Sequence, residues 1–361
     1  MTEQETSTLP ATIELLTVLS LRGGDVASQQ LIERFQAWRW GASPHSIRNV
    51  YGDLKRFGAW AAINKERTVP ASIAAVGDYV SHLRYEGKAL ATIERALASI
   101  SLAHRLAGVI DVTKDETIRW RMKGVRKDLA GTRRKAQGLR FDAGLVTLAD
   151  ILALPNRKLS DLRDKALIST AYDTGLRRAE LVAVHTHHVT EVADGFELVI
   201  PAIKGGFEGY HAFLTPESVK FIRDWMRGAG LAQEIVDADG KPLDNPLFRA
   251  VDRLDRVARQ ALAPGSVNTL FKDMVRRAGE ARSLGPEQIA ETVKRVSGHS
   301  TRVGSTQDLF DANIELGPIC HARRWKDPRM AMRYVEELSI QKGPVGAVFK
   351  GQRATRNRAQ G

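Results

Sequence analysis

Three short motifs in the second half of the chain carry side chains able to grip and attack a charged group. Thr174-Gly175-Leu176-Arg177-Arg178-Ala179-Glu180-Leu181 sets Arg177 three residues before Glu180, on one face of an expected helix. Ser297-Gly298-His299-Ser300-Thr301-Arg302 repeats that spacing with His299 and Arg302. Trp325 and Tyr334 follow, nine residues apart; the Asp327-Pro328 pair between them is a capping residue with proline at the first helical position. Tyr334 is therefore predicted on the second turn of a short helix. Paired guanidinium groups hold an oxyanion bidentately with charges that do not titrate away. A tyrosine hydroxyl, with a pKa of about 10, becomes a nucleophile only with help from a base or a cationic field. Taken singly the motifs are weak: most Arg/Glu pairs at this spacing are surface ion pairs, and most histidines and aromatic pairs are structural.

Something must hold these groups, and the sequence reads as two domains. Residues 1–129 predict a helical bundle. From Pro44, capped by Ser43, apolar residues recur at Ile47, Val50, Tyr51, Leu54, Phe57 and Ala61. A second helix follows Ser72 and buries Val76, Tyr79, Val80 and Leu83. A third runs from about Leu90 to Leu106, with Ile93, Leu97 and Ile100 inward. A fourth covers about Thr113 to Leu129, with Ile118, Met122, Val125 and Leu129 inward and Arg119, Arg121, Lys123, Arg126 and Lys127 outward. A basic linker, 130–139, carries Arg133 and Arg134. Such a charge run is either a solvated connector or a strap along a polyanion.

Residues 140–342 predict a second, mostly helical domain with one small sheet. Leu162 to Leu176 reads as a buried helix continued by Ala179 to Val184. Phe196–Ile200 and Tyr210–Leu214 read as strands of a hairpin turning at Lys204-Gly205-Gly206, and helices then return. A polar tail, 343–361, closes the chain. His185-Thr186-His187-His188 looks like a metal cluster, but no cysteines or paired carboxylates stand at zinc-ligand spacing around it. It is read as a decoy.

Composition narrows the partners. The chain has 361 residues, 43% hydrophobic and 27% charged, with a formal net charge of +12. That balance excludes collagenous, disordered and disulfide-stapled classes. It favours a polyanion partner, because each cation set against a phosphate releases counterions. A single cysteine, Cys320, rules out an internal disulfide, and neither a signal-peptide pattern nor an apolar run of membrane length is present. The expectation is a cytoplasmic, DNA-associated protein without membrane or small-molecule substrate.

In order, Arg177, Lys204, His299, Arg302, Trp325 and Tyr334 resemble the motif set of the tyrosine recombinases, the phage integrase family, and among them the Cre-like members, in which a tryptophan takes the place of a histidine. The resemblance extends along most of the chain, to Gly346-Ala347-Val348-Phe349 in the tail. The glycine that commonly precedes the tryptophan is Arg324 here.

The resemblance implies a mainly α fold with a small antiparallel β-sheet. It would be a two-domain C-shaped clamp, a helical core-binding domain plus a catalytic domain, working as a homotetramer on two inverted-repeat sites in double-stranded DNA. It implies that Tyr334 attacks phosphorus, with Arg177, Arg302 and Trp325 on the phosphate oxygens. Lys204 would be the general acid, His299 would assist the phenol, and Glu180 would orient His299 or an arginine. No metal, ATP or other cofactor is implied. DNA contacts are expected from Arg48, Lys55, Arg121, Lys123, Arg126, Arg133 and Arg134, and the tail would dock into a neighbouring subunit. The competing class is a basic DNA-binding regulator with an inactive site. Telomere resolvases and type IB topoisomerases share the chemistry but fit the compact size less well.

Overall fold

The structure is a computed structural model that describes residues 26–131, 136–192, 195–200, 209–232, 240, 243 and 245–341. The chain divides into two compact units, Met1–Arg134 and Lys135–Gly361. Both are mainly helical, with small antiparallel sheets in the second, the fold class expected.

The first unit holds α1 (Val26–Gly41), α2 (Pro44–Ile63), α3 (Ile73–Tyr85), α4 (Leu90–Ala107) and α5 (Glu116–Asp128). Local chemistry sets the starts. Ser43 Oγ accepts the Ser46 N–H at 3.1 Å and Ser72 Oγ the Ala75 N–H at 3.0 Å. Each such cap contributes about 1 kcal/mol. Leu54, Phe57, Val76, Tyr79, Val80, Ile93, Ile100, Ile118 and Met122 fill the core. The expected fourth helix begins later than Thr113, at Glu116, because Asp111 caps a separate 3₁₀ turn at Val112–Lys114 through the Thr113 N–H. Helix α1 was not anticipated. Phe35 is buried while nearby Trp40 is 95% exposed, so the apolar residues form no single stripe.

The second unit runs α6 (Leu148–Leu152), α7 (Leu159–Thr174), α8 (Arg178–Val182), β1 (Val189–Val192), β2 (Gly195–Ile200), β3 (Tyr210–Leu214), α9 (Pro216–Ala229), β4 (Arg249–Val251) and β5 (Val257–Ala261). It ends with α10 (Ser266–Ala281), α11 (Pro286–Arg295), α12 (Ser300–Asp311), α13 (Leu316–Ala322) and α14 (Pro328–Gln341). Helix α7 is the axis, buried along most of its length and packed by α9, α12 and β3. Leu167, Ile168, Trp225, Phe248 and Phe271 lie in its core, where the Trp225 indole N–H donates to the Leu247 carbonyl at 2.7 Å.

Two expectations are corrected. The helix through Leu176 does not continue to Val184: Gly175 ends α7 in the left-handed region (φ 59°), and α8 starts afresh with Arg177 as its N-cap. Nor do only helices follow the first hairpin. Strands β1, β2 and β3 form one antiparallel sheet, with Val199 opposite His211, and β4 pairs with β5 in a second. The second hairpin is half-exposed to exposed along both strands and lacks an apolar alternation that would announce it. The turn at Lys204-Gly205-Gly206 and the tail lie outside the described residues. Among the described residues no helix is long and apolar enough to cross a membrane.

Candidate active site

Helix α12 brings His299 and Arg302 to one place. His299 is its N-cap, and the preceding loop is fixed by the Gly298 N–H donating to Asn268 Oδ1 of α10 at 2.6 Å. Arg302 lies in the first turn and is 1% exposed. Its guanidinium donates to the carbonyls of Gly175 and Arg323. No carboxylate hydrogen-bonds it among the described residues. Burial, with Arg177 and Arg324 nearby, lowers its pKa to about 10.

Helix α14 starts as expected, the Asp327 carboxylate accepting the Arg329 N–H at 2.9 Å. Ala331 and Val335, one turn apart and fully buried, anchor it. That leaves Tyr334 half-buried, with its hydroxyl 2.8 Å from His299 Nε2. The Trp325 ring stacks on the Tyr334 ring (centroids 5.3 Å, planes 27° apart), and the Arg302 guanidinium lies over the Trp325 ring, 4.9 Å from its centroid. Burial first, then the charges of Arg302, Arg177 and Arg178, push His299 down to about 4. The imidazole is therefore neutral at pH 7, and its Nε2 hydrogen-bonds the phenol as an uncharged group.

Arg177 and Glu180 are joined twice. The Arg177 N–H donates to Glu180 Oε2 at 2.9 Å and its guanidinium to Oε1 at 3.0 Å. Arg177 thus sits at the end of α8 rather than on its face, and its side chain stays 57% exposed. Glu180 is 8% exposed. Burial raises its pKa, but the Arg177 backbone N–H and the Arg324 guanidinium outweigh this and hold the carboxyl below its usual range. Arg178 points elsewhere: a side chain at Gly298 would strike its stem at 2.6 Å. The two adjacent arginines therefore have distinct surroundings, which the motif alone left to register.

Arg324 explains its own departure from glycine. Helix α13 ends with the Trp325 N–H on the Cys320 carbonyl (2.9 Å) and the Arg324 N–H on the His321 carbonyl (3.0 Å), with Arg324 at φ 54°. This is a Schellman turn, whose left-handed position favours glycine. An arginine there costs about 1 kcal/mol. In return its guanidinium pairs with Glu180 and lies 4.9 Å over the Tyr210 ring. Sequence reasoning registered the substitution and missed the contacts, because Glu180 and Tyr210 are far away in the chain.

Lys204 lies outside the described residues, as do Arg133 and Arg134. In the first unit Arg48, Lys55 and Lys123 are exposed. Arg121 is tied to Asp78 at 3.0 Å and Arg126 to Glu94 at 3.0 Å. In the 185–188 run His185 stacks on His188 at 5.1 Å, His187 meets both edge-on, and His188 Nδ1 accepts the His185 N–H. Among the described residues no cluster of three or more His, Cys, Asp or Glu side chains is placed to hold a metal.

Comparison with known proteins bears on the family and the fold. The model of the phage integrase family matches residues 147–339, more than half of the chain. Recombinase cre of Escherichia phage P1 is 25% identical over 330 residues, covering 89% of this chain and 92% of its own length. An integrase/recombinase XerD homolog of Selenomonas ruminantium is 26% identical over 299 residues, covering 80% of each. Among solved structures, the XerH site-specific recombinase bound to a palindromic difH substrate is similar in fold, with a TM-score of 0.58 at 14% identity, over 96% of this chain and 93% of that one.

Proposed function

The chain belongs to the phage integrase family of tyrosine recombinases, and from that premise we propose that it is a Cre-like site-specific DNA recombinase whose nucleophile is Tyr334. The observation that carries the reading is the Tyr334 hydroxyl, hydrogen-bonded to a neutral histidine beside a buried arginine that, among the described residues, no carboxylate hydrogen-bonds.

The chemistry follows from those groups. A phosphodiester under attack accumulates charge on its nonbridging oxygens. Arg302 and Arg177 hold that charge, and Trp325, a single indole donor, adds a contact. Tyr334 Oη bonds to phosphorus and its proton leaves toward His299 Nε2, forming a 3′-phosphotyrosyl link. Bound phosphate is an anion and offsets the arginine field that weakens His299 as a base. The leaving 5′ oxygen takes a proton from Lys204, the general acid that the family resemblance implies. Glu180 orients Arg177. One strand breaks and rejoins as in type IB topoisomerase chemistry. Because the covalent link conserves the energy of the broken bond, rejoining draws on no ATP, and the arginines supply the positive charge that a metal would supply elsewhere.

In this reading residues 1–129 form the core-binding domain, 130–139 a basic linker and 140–342 the catalytic domain, both engaging DNA. Arg48, Lys55, Arg121, Lys123, Arg126, Arg133 and Arg134 face the duplex. Four copies act on two inverted-repeat sites and exchange strands through a Holliday junction, with the tail of residues 343–361 docking into a neighbour. Two relatives support the partner class: the XerH structure holds a difH substrate, and a λ integrase fragment that is 16% identical (TM-score 0.51) is a dimer on a COC′ core site.

The test is to express the protein beside its own replicon, trap covalent protein–DNA complexes under denaturing conditions and sequence the attached DNA. Adducts at one inverted-repeat site, absent in Tyr334→Phe, are expected. Tight DNA binding without adducts, on nicked substrates that cannot rejoin, would make it a DNA-binding regulator with an inactive site.

A further inference from the structure

One side chain outside the motif set touches the backbone of the nucleophile. Gln307, five residues after Arg302 on α12, donates its side-chain N–H to the Tyr334 carbonyl at 3.0 Å. It joins the helix that carries Arg302 to the helix that carries the phenol, next to the residue that must be placed.

The other side of Gln307 is occupied by the end of the basic linker and the residues just after it. Residues 137–141 lie as a strap that starts at the end of α11 and runs onto α12. The Gln137 N–H donates to the Arg295 carbonyl at 3.1 Å, the Leu139 N–H to the Ser300 carbonyl at 2.9 Å, and the Phe141 N–H to Asp308 Oδ2 at 2.8 Å. Arg140 pairs with Asp308 and Asp311, and Leu139 is 2% exposed. The approach is so close that glycine is required at 304, where backbone stands in the way, while a side chain at 138 would push the Gln307 amide aside. A Cβ at Gly304 would lie 1.9 Å from the Leu139 oxygen, and a Cβ at Gly138 would lie 2.2 Å from Gln307 Oε1. The Gln307 amide therefore fills the space between the strap and the nucleophile's carbonyl.

We infer that Gln307 is a positioning residue for Tyr334, and that the strap at residues 137–141 sets its side chain, so that the seating of the linker on α12 fixes where the phenol lies. The strap follows directly on the unit boundary at Arg134 and Lys135, so a pull on the linker reaches Tyr334 through one amide. A displacement of about 1 Å at a reacting atom is enough to cost roughly 100-fold in rate. The importance of this placement rests on Tyr334 being the nucleophile; the contact itself does not.

The test reads Tyr334 directly and uses no DNA. The full-length protein is labelled with 3-fluorotyrosine, and the Tyr334 resonance among its 6 tyrosines is assigned by its loss in Tyr334→Phe. Gln307→Met keeps the side-chain length and removes the donor; it is expected to shift the Tyr334 resonance and leave that of Tyr79, in the other unit, in place. Gly138→Ala, with no contact to Tyr334, is expected to shift it too, and to add nothing in a Gln307→Ala background. An unmoved resonance in Gln307→Met overturns the inference. So does a Gly138→Ala shift of equal size in both backgrounds, which would mean that the strap acts through the helix as a whole. On the DNA site identified by adduct sequencing, the same variants are expected to slow cleavage by up to about 100-fold with DNA affinity unchanged; that outcome fails separately if the recombinase reading is wrong.

Discussion

Asp53 in the first unit and Arg302 in the second are both 1% exposed, yet their charges are handled in opposite ways. Asp53 receives the Arg95 guanidinium twice, at 2.9 and 3.0 Å, the Ser99 hydroxyl at 3.0 Å, and Arg56 beside them. Its charge is cancelled, and the bundle around it is complete as it stands. Arg302 is held by two carbonyl dipoles, and burial first, then the charges of Arg177, Arg324 and Arg323, lower its pKa against the opposing pull of Glu180. Dipoles hold a cation in place without neutralising it. The first arrangement stabilises a helix bundle; the second, in the proposed reading, keeps positive charge ready for an anion that comes from outside. A buried charge without a counter-ion therefore marks function more sharply than a buried charge with one.

Variants at the two positions should have effects of opposite sign. The largest effect is expected from Arg302→Met, which removes the buried charge and keeps much of the stem. Cleavage should fall by about 100- to 1,000-fold, as for loss of a transition-state donor. Thermal stability should hold or rise, because the desolvation cost goes with the charge; a large loss of Tm would make Arg302 a structural residue instead. Asp53→Asn should do the reverse. It should cost about 1–3 kcal/mol in urea unfolding of the first unit, for the donors left underpaired, while cleavage per bound molecule stays at the parent rate.

A smaller effect concerns protons. His299 titrates near 4, below its ordinary 6.5, so between those values the unfolded chain binds the proton and the folded one does not. Its contribution to stability is fully present above pH 6.5 and is lost as pH falls toward 4. A two-dimensional NMR titration of the imidazole should give a midpoint near 4 in the parent and a higher one in Arg302→Met. A midpoint near 6.5 in both would remove the cationic field from the account. The smallest effect is expected at Arg324→Gly. The left-handed strain is relieved by about 1 kcal/mol while the ion pair is lost, so net stability should change by less than about 1 kcal/mol. The Glu180 carboxyl, seen by carbon-detected NMR, should titrate at higher pH than in the parent.

The same contrast shows what the sequence could reveal. The helices of the first unit were legible because Ser43 and Ser72 cap them and one apolar stripe runs along each; α1, with Trp40 outward, lacked that stripe. In the second unit Asp327-Pro328 announced α14, and the order of Arg177, His299, Arg302, Trp325 and Tyr334 announced the site. What could not be read were contacts between distant segments. Nothing near Gln307 points to Tyr334, nothing near Arg324 points to Glu180, and Gly138 and Gly304 gain meaning only when their backbones meet. The exposed β4–β5 hairpin has no apolar periodicity to display. Spacing reveals residues that share one element; only the fold reveals residues from distant segments that meet in one place.

The central claim is that the Tyr334 hydroxyl takes the phosphate. The most direct measurement is mass spectrometry of trapped adducts after trypsin and nuclease digestion. The account predicts the nucleotide mass on the peptide that begins at Tyr334 and ends at Lys342. A nucleotide on any other residue, or an adduct that persists in Tyr334→Phe, would contradict it.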